Sequence, residues 1–454
     1  MSTGIPLTPA PAPPAPDAYR RRLASLEPET VARARAAFAA LLTRDHAVHL
    51  DACVHCGLCT TSCHYALVDE DPRNSPAYKV HLVAEAFRQE SSAWARMFPG
   101  WTGARPVDAE LIGEWVDVLF GRCSMCGRCT ANCVVGIDVP ALVRAARGAL
   151  AAAGLVPPEL QSTVDAAVNT GNNMSITHDD WIGTIEWLED ELRAEVGDDT
   201  ARLPLDECDA DFLYVLNPRE PKFYPLSIVA AGAIFHRAGV RWTLARDYFD
   251  VTNYGLFSGS PEAAATIARR LVDTTRRLRA KQLVLGECGH GFAANRWLAP
   301  EWLGEEPGFE VRSVVDVVAD LIRDGRIELD PSRIPNLVTL HDPCNLVRNG
   351  GVIAPQREIL ARAVTQWVEM APHGYQNYCC GGGGGQLSMT RFARRRLEAG
   401  RIKADQIRAT GARIVAAPCH NCVDQLSEIG KEYALGIEVK TMCELVADAL
   451  VRRP

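Results

Sequence analysis

Tyr378-Cys379-Cys380-Gly381-Gly382-Gly383-Gly384-Gly385 is the stretch on which the reading of this chain turns. Neighbouring side chains in extended backbone point to opposite faces, so one centre takes both Cys379 and Cys380 only across a special bend. The glycines allow that bend and a close approach of backbone to something bulky. Thirty-four residues upstream stands Cys344, and after 38 residues downstream comes Cys419-His420-Asn421-Cys422. Five thiols are one more than a four-cysteine cubane takes. The plain alternative is a buried free cysteine pair beside a flexible glycine loop. The coincidence of Cys-Cys-Gly with Cys-x-x-Cys in one segment argues against it.

This segment resembles the cysteine-rich CCG domain of heterodisulfide reductases and their relatives. The resemblance implies a non-cubane [4Fe-4S] cluster held by Cys344, Cys379, Cys380, Cys419 and Cys422, with Cys379 and Cys380 also at the seat of the chemistry.

The rest of the chain sets bounds on this reading. A length of 454 residues suggests two to four domains, and 47% apolar residues supply large cores. A net charge of −8 gives no reason to expect nucleic-acid binding. The sixteen cysteines cluster as Cys-x-x-Cys units, which points to metal in a reducing compartment. The Pro/Ala-rich start lacks a basic and an apolar region and reads as a disordered tail over 1–20. No apolar run is long enough to span a membrane.

Two copies of one spacing precede the glycine run: Cys53-x-x-Cys56-x-x-Cys59-x-x-x-Cys63 and Cys123-x-x-Cys126-x-x-Cys129-x-x-x-Cys133. In two-cluster ferredoxins the fourth cysteine of each copy serves the other cluster. The expected sets are therefore Cys53, Cys56, Cys59 and Cys133 around one [4Fe-4S] cluster, and Cys123, Cys126, Cys129 and Cys63 around a second. Zinc also accepts four thiolates, but two matching triple-spaced copies are a ferredoxin signature. The residue after the fourth cysteine is His64 or Val134, not the usual proline, which weakens the crossed assignment. The insert between the copies carries helical patterns and Trp94, Trp101 and Trp115, expected to pack beside the clusters.

From Asp211 short apolar strands alternate with helices. Phe309–Ser313 followed by Val317-Val318-Ala319-Asp320 returns 128 residues later as Ile437–Thr441 and Leu445-Val446-Ala447-Asp448. Where the second half has Cys419-His420-Asn421-Cys422, the first has Cys288-Gly289-His290-Gly291, and Arg219 replaces Cys344. One non-cubane centre is therefore expected. Cys288 is either a substrate-facing thiol or a buried relic of the repeat. His290, His341 and His420 read as loop-stabilising side chains, Cys443 as core and Cys208 as structural.

The expected fold class is α+β. An N-terminal all-α, ferredoxin-like domain with two [4Fe-4S] clusters (21–155) is followed by a connector (156–205), a degenerate CCG half (206–330) and a complete CCG half (331–454). Asn74-Ser75-Pro76-Ala77-Tyr78-Lys79-Val80, Gly286–Gly291 and His341-Asp342-Pro343-Cys344-Asn345 strengthen the resemblance to HdrD/DsrK-like iron–sulfur proteins over most of residues 45–454. That resemblance implies an oxidoreductase subunit moving electrons between a quinone-linked membrane cytochrome b and a small cysteine-carrying protein or other thiol/disulfide. It places the chain in the cytoplasm, held to the inner face of the membrane through a partner. The iron–sulfur subunit of a flavin-linked 2-hydroxyacid or glycerol-3-phosphate dehydrogenase shares the layout and stays open as an alternative. So do a pure electron relay and a scaffolding subunit.

Overall fold

The computed structural model describes residues 16–451. Most of the expected tail lies outside the described residues. Helix Pro16–Ala24 claims residues 16–20, which the composition assigns to that tail.

Up to Val196 the described chain is helical. Helix Pro28–Leu41 has proline in its first turn, and its Thr30, Ala34 and Phe38, one turn apart, are buried. That stripe lies against helix Val139–Ala152, capped by Asp138 and burying Leu142, Val143, Ala146, Ala149 and Leu150. Trp115 packs 5.0 Å from Phe38 in the same core. Trp94 and Trp101 are exposed, at 58% and 87%, so the expectation that they flank the metal sites fails for these two. Of their short helices, Ala93–Met97 and Pro99–Thr102, only Ala95 is buried.

The remainder is α/β. Strands β1 (Phe212–Val215), β2 (Trp242–Thr243), β3 (Gln282–Leu285) and β4 (Glu310–Ser313) form a parallel sheet in the order β2-β1-β3-β4. Strands β5 (Val338–Leu340), β6 (Trp367–Glu369), β7 (Ile414–Ala416) and β8 (Glu438–Lys440) form a second parallel sheet in the order β6-β5-β7-β8. Apolar runs such as Phe212–Val215 are wholly buried, as strands with helices on both faces must be. In such sheets ligands sit where the strand order reverses, outside the carboxyl ends. Here those points lie between β1 and β3 and between β5 and β7, and the two edges face each other. His420 N donates to Glu287 O (2.9 Å) and Met442 N to Glu287 Oε1 (2.6 Å).

The stretch read as a connector is not a linker. Helix His178–Val196 buries Trp181, Ile185, Leu188 and Leu192 against helix Pro225–Ala238 and belongs to the first sheet's core. Gly400 divides helix Ala393–Ala399 from helix Arg401–Thr410. No described helix is long and apolar enough to cross a membrane.

The helical part meets the first sheet at Gly259, where φ is +85° and a Cβ would stand 2.5 Å from Gly148 N. Alanine there adds ~1–2 kcal/mol of left-handed strain to a backbone clash. Gly304, also left-handed but facing open space, isolates the strain alone. We expect Gly259→Ala to lose at least ~2 kcal/mol more stability than Gly304→Ala in chemical unfolding. Equal losses would show that the close approach does not matter.

Candidate metal centres

Each ferredoxin-type loop repeats one backbone shape. His55 and Gly57 in the first, and Met125 and Gly127 in the second, occupy the left-handed region. Such alternation curls the backbone around a small anionic body and turns N–H groups inward. The loops end helices in both copies, after Arg44–Ala52 and after the turn closing at Gly121. Cys53, Cys56, Cys59 and Cys133 line one cavity, and Cys63, Cys123, Cys126 and Cys129 line another. Cys129 also borders the first, so the two cavities share a wall. Cys56 is exposed, with Val54, Leu58, Val134 and Val135 around it. The second cavity is interior: burial pushes Cys129 well up, and the buried Lys79 opposes that shift. Eight thiols crowded around two spaces suit multivalent cations that displace their protons, which is the fit required of two cubanes.

The five remaining thiols form the third site. Cys344 begins the turn after β5, and Cys419 and Cys422 open helix His420–Glu432 after β7, where the helix N-terminus favours thiolate. Gly381, at φ +100°, supplies the bend that turns Cys379 and Cys380 into one site. Cys344 Sγ lies 3.8 Å from Cys379 Sγ, and Cys380 Sγ lies 3.5 Å from Cys422 Sγ. Backbone N–H groups of Gly381, Gly382 and Gly289 donate to Cys379 (3.2 Å), Cys380 (3.5 Å) and Cys419 (3.5 Å). All five cysteines are buried.

Hydrogen bonding among the neighbouring thiols pushes Cys379, Cys380 and Cys419 down, Cys419 to about 7, and Cys344 and Cys422 up. A dry pocket cannot hold five thiolates together without a multivalent cation. These donors fit an iron–sulfur centre. Sequence reasoning gives His341 only a loop role. It is buried with both ring nitrogens unpartnered, and a ring nitrogen lies within 4.8 Å of the Cys380 and Cys422 sulfurs. Only its place one residue past a switch-point strand signals this.

The second and third sites touch. Cys126 packs against the buried cluster that holds Cys344, Cys379, Cys380, Cys419 and Cys422, and the neighbouring Cys379 pushes its pKa up. Arg348 Nη1 donates to Cys126 O (2.8 Å) and its Nη2 to Asn377 O. Arg128 donates to Ser62 O and Gln376 O, both at 2.9 Å, and stacks 3.7 Å over Tyr378. Gly384 lies so close that a Cβ would stand 2.8 Å from Cys123 O.

Cys288 closes the other side. It is buried beside Cys419, with Sγ 3.3 Å from His290 Nδ1. His290 Nε2 has no partner, and burial pushes its pKa down to about 3. His420 pairs with Glu220 at 3.4 Å. Cys443 is core, as expected, whereas Cys208 is exposed.

Residues 49–137 match the family of 4Fe-4S dicluster domains, and 338–427 match the family of cysteine-rich CCG domains. The Hdr-like menaquinol oxidoreductase iron–sulfur subunit of Archaeoglobus profundus is 28% identical over 89% of this chain and 80% of its own length. A dihydromethanophenazine:CoB–CoM heterodisulfide reductase subunit of Methanosarcina barkeri is 27% identical over 90% of this chain and 96% of its own. This chain carries a 4Fe-4S dicluster domain and a cysteine-rich CCG domain and is similar over most of its length to heterodisulfide reductase-related iron–sulfur subunits. Its two matched domains take two [4Fe-4S] cubanes and one non-cubane [4Fe-4S] centre, and it is an oxidoreductase.

The grouping around the two cavities predicts which substitutions share a phenotype. Cys63→Ser should lose the same cubane EPR signal as Cys126→Ser, and Cys133→Ser the same signal as Cys56→Ser. Pairing of Cys63 with Cys56 instead would mean that each copy serves its own cluster.

Proposed function

We propose that this chain moves electrons between a quinone-linked cytochrome b-type membrane protein and a thiol/disulfide, and that the sulfur chemistry occurs at the five-cysteine centre. The packing of Cys126 against the five-cysteine cluster carries the reading, because it puts an electron-carrying loop against the one site with surplus thiols. In this reading Cys53, Cys56, Cys59 and Cys133 hold the first cubane, whose edge at Cys56 meets the partner. Cys123, Cys126, Cys129 and Cys63 hold the second. Cys344, Cys379, Cys380, Cys419 and Cys422 hold the non-cubane centre. When bound, the clusters supply one-electron storage and, at the last centre, iron open to sulfur.

Reduction of a disulfide takes two electrons and two protons and releases two thiols. The five buried cysteines would hold the centre to which the cubanes supply electrons singly, in a place shut off from water. Cys288 and His290 form the wall opposite Cys419, with Cys288 facing substrate and not serving as a ligand. The relatives named above are menaquinol- and dihydromethanophenazine-linked proteins, which supports a membrane partner and a peripheral place on the inner face. The small cysteine-carrying protein of the resemblance remains the natural larger substrate.

The test is reduction of disulfides by the isolated holoprotein with reduced viologen. Cys380→Ala should lose the iron of the non-cubane centre and all disulfide turnover. Cys288→Ala should keep its iron while turnover slows about tenfold, equal to ~1.4 kcal/mol of barrier. Intact clusters with no disulfide turnover, together with a co-purifying flavoprotein, would favour the dehydrogenase alternative.

A further inference from the structure

His341 directly follows strand β5 at the switch point of the second sheet, where its backbone N donates to Ala416 O of β7 (2.8 Å). Its side chain is wholly buried. Four described histidines, His64, His290, His341 and His420, have a buried ring nitrogen without a partner, and only in His341 are both nitrogens so placed. The nearby groups that could have met them are engaged elsewhere. Asp342 holds Arg357 (3.0 Å) and Gly374 N (2.6 Å). Asn377 accepts from Lys403 Nζ through Oδ1 and donates to Asp342 O through Nδ2, both at 2.6 Å. Charged or neutral, an imidazole carries at least one N–H, and leaving it unmet in a dry interior is unfavourable. Sulfur is what lies close: a ring nitrogen stands within 4.8 Å of the Cys380 and Cys422 Sγ atoms, themselves 3.5 Å apart. Cys379, Cys380 and Cys419 each take a backbone N–H, from Gly381, Gly382 and Gly289. Among the described residues, Cys422 is bonded only by neighbouring thiols.

We infer that His341 donates a ring N–H to a sulfur at the Cys380–Cys422 edge of the five-cysteine centre and so sets how readily that centre takes up an electron. The inference rests on the reading of those five cysteines as one iron–sulfur centre and adds the residue that tunes it. A hydrogen bond to sulfur draws electron density from the centre and favours the reduced state, which carries the extra negative charge. Lys403 works in the same direction. It is wholly buried, has no ion pair with any described residue, and reaches Met370 Sδ (3.5 Å) inside the apolar cluster that holds the five cysteines. His341 tunes the centre and is not one of its ligands.

The test is a redox titration of the holoprotein followed by EPR, in which the signal of the five-cysteine centre is the one that Cys380→Ala removes. His341→Leu should keep its iron and that signal, while the reduction equilibrium moves at least tenfold toward the oxidised form, a midpoint lower by about 59 mV for one electron. His341→Gln or His341→Asn, whose side chains also carry an N–H, should restore part of the loss. A second measurement does not depend on a substituted core. Pulsed EPR of the wild-type chain labelled with [15N]histidine should show a weak nitrogen coupling to the same signal, and labelled His341→Gln should lack it. An unmoved midpoint in iron-replete His341→Leu, or no histidine coupling in the wild type, overturns the inference. A coupling as strong as that of a nitrogen bonded to iron also overturns it, by making His341 a ligand. A Cys380→Ala variant that keeps every signal would overturn the five-cysteine reading itself, and the inference with it.

Discussion

Arg147 is the interaction on which the arrangement of the three centres depends. It is wholly buried, and no carboxylate partners it. Its guanidinium instead donates to four carbonyls: Leu119 (2.7 Å) and Cys123 (2.9 Å) of the helical part, Phe257 (2.7 Å) of the first α/β half, and Gly384 (2.9 Å) of the glycine run. Burial pushes its pKa down only to about 10, so the charge persists at neutral pH. A buried cation held this way is expensive to orphan. Three segments distant in sequence must therefore converge for the charge to be solvated at all. What converges is the loop of the second ferredoxin copy and the loop of the cysteine pair.

The glycine run gains its meaning from that convergence. Gly381 bends the chain so that both cysteines enter one site, while Gly383 and Gly384 lie flat against Ser124. Gln386 fastens the end of the run to Phe120 O and Cys123 O. Side chains at these positions would hold the loops apart and break the packing of Cys126 against the five cysteines. Disulfide reduction takes two electrons while a cubane passes them one at a time, so under the proposed function a rigid contact between the second ferredoxin loop and the five-cysteine site serves the transfer. The opposed edges of the two sheets shut the site on its other side.

The cysteine spacings make the metal sites legible, because ligand geometry forces close spacing in sequence. The same spacing argues for the crossing of Cys63 and Cys133 to the other copy's cavity. Strands β1, β3, β5 and β7 stand out as apolar runs. Strand β6, three half-buried residues at a sheet edge, carries no such pattern. Arg147 is invisible, since an arginine in an alanine-rich helix reads as a solvated residue until the fold buries it. Trp94 and Trp101 mislead for the opposite reason, as large aromatics that the insert leaves on the surface. His341 becomes a candidate only when the fold sets it against Cys380 and Cys422.

The central claim is that electrons reach the five-cysteine centre through the second ferredoxin loop. The most direct measurement is the magnetic interaction between that centre and the cubanes, read by EPR on the holoprotein poised so that both are paramagnetic. The account predicts a spin–spin interaction in the wild-type chain that disappears in Cys63→Ser, which removes the cubane of the Cys123–Cys129 loop, and survives in Cys56→Ser. An interaction that survives in Cys63→Ser and disappears in Cys56→Ser would contradict it.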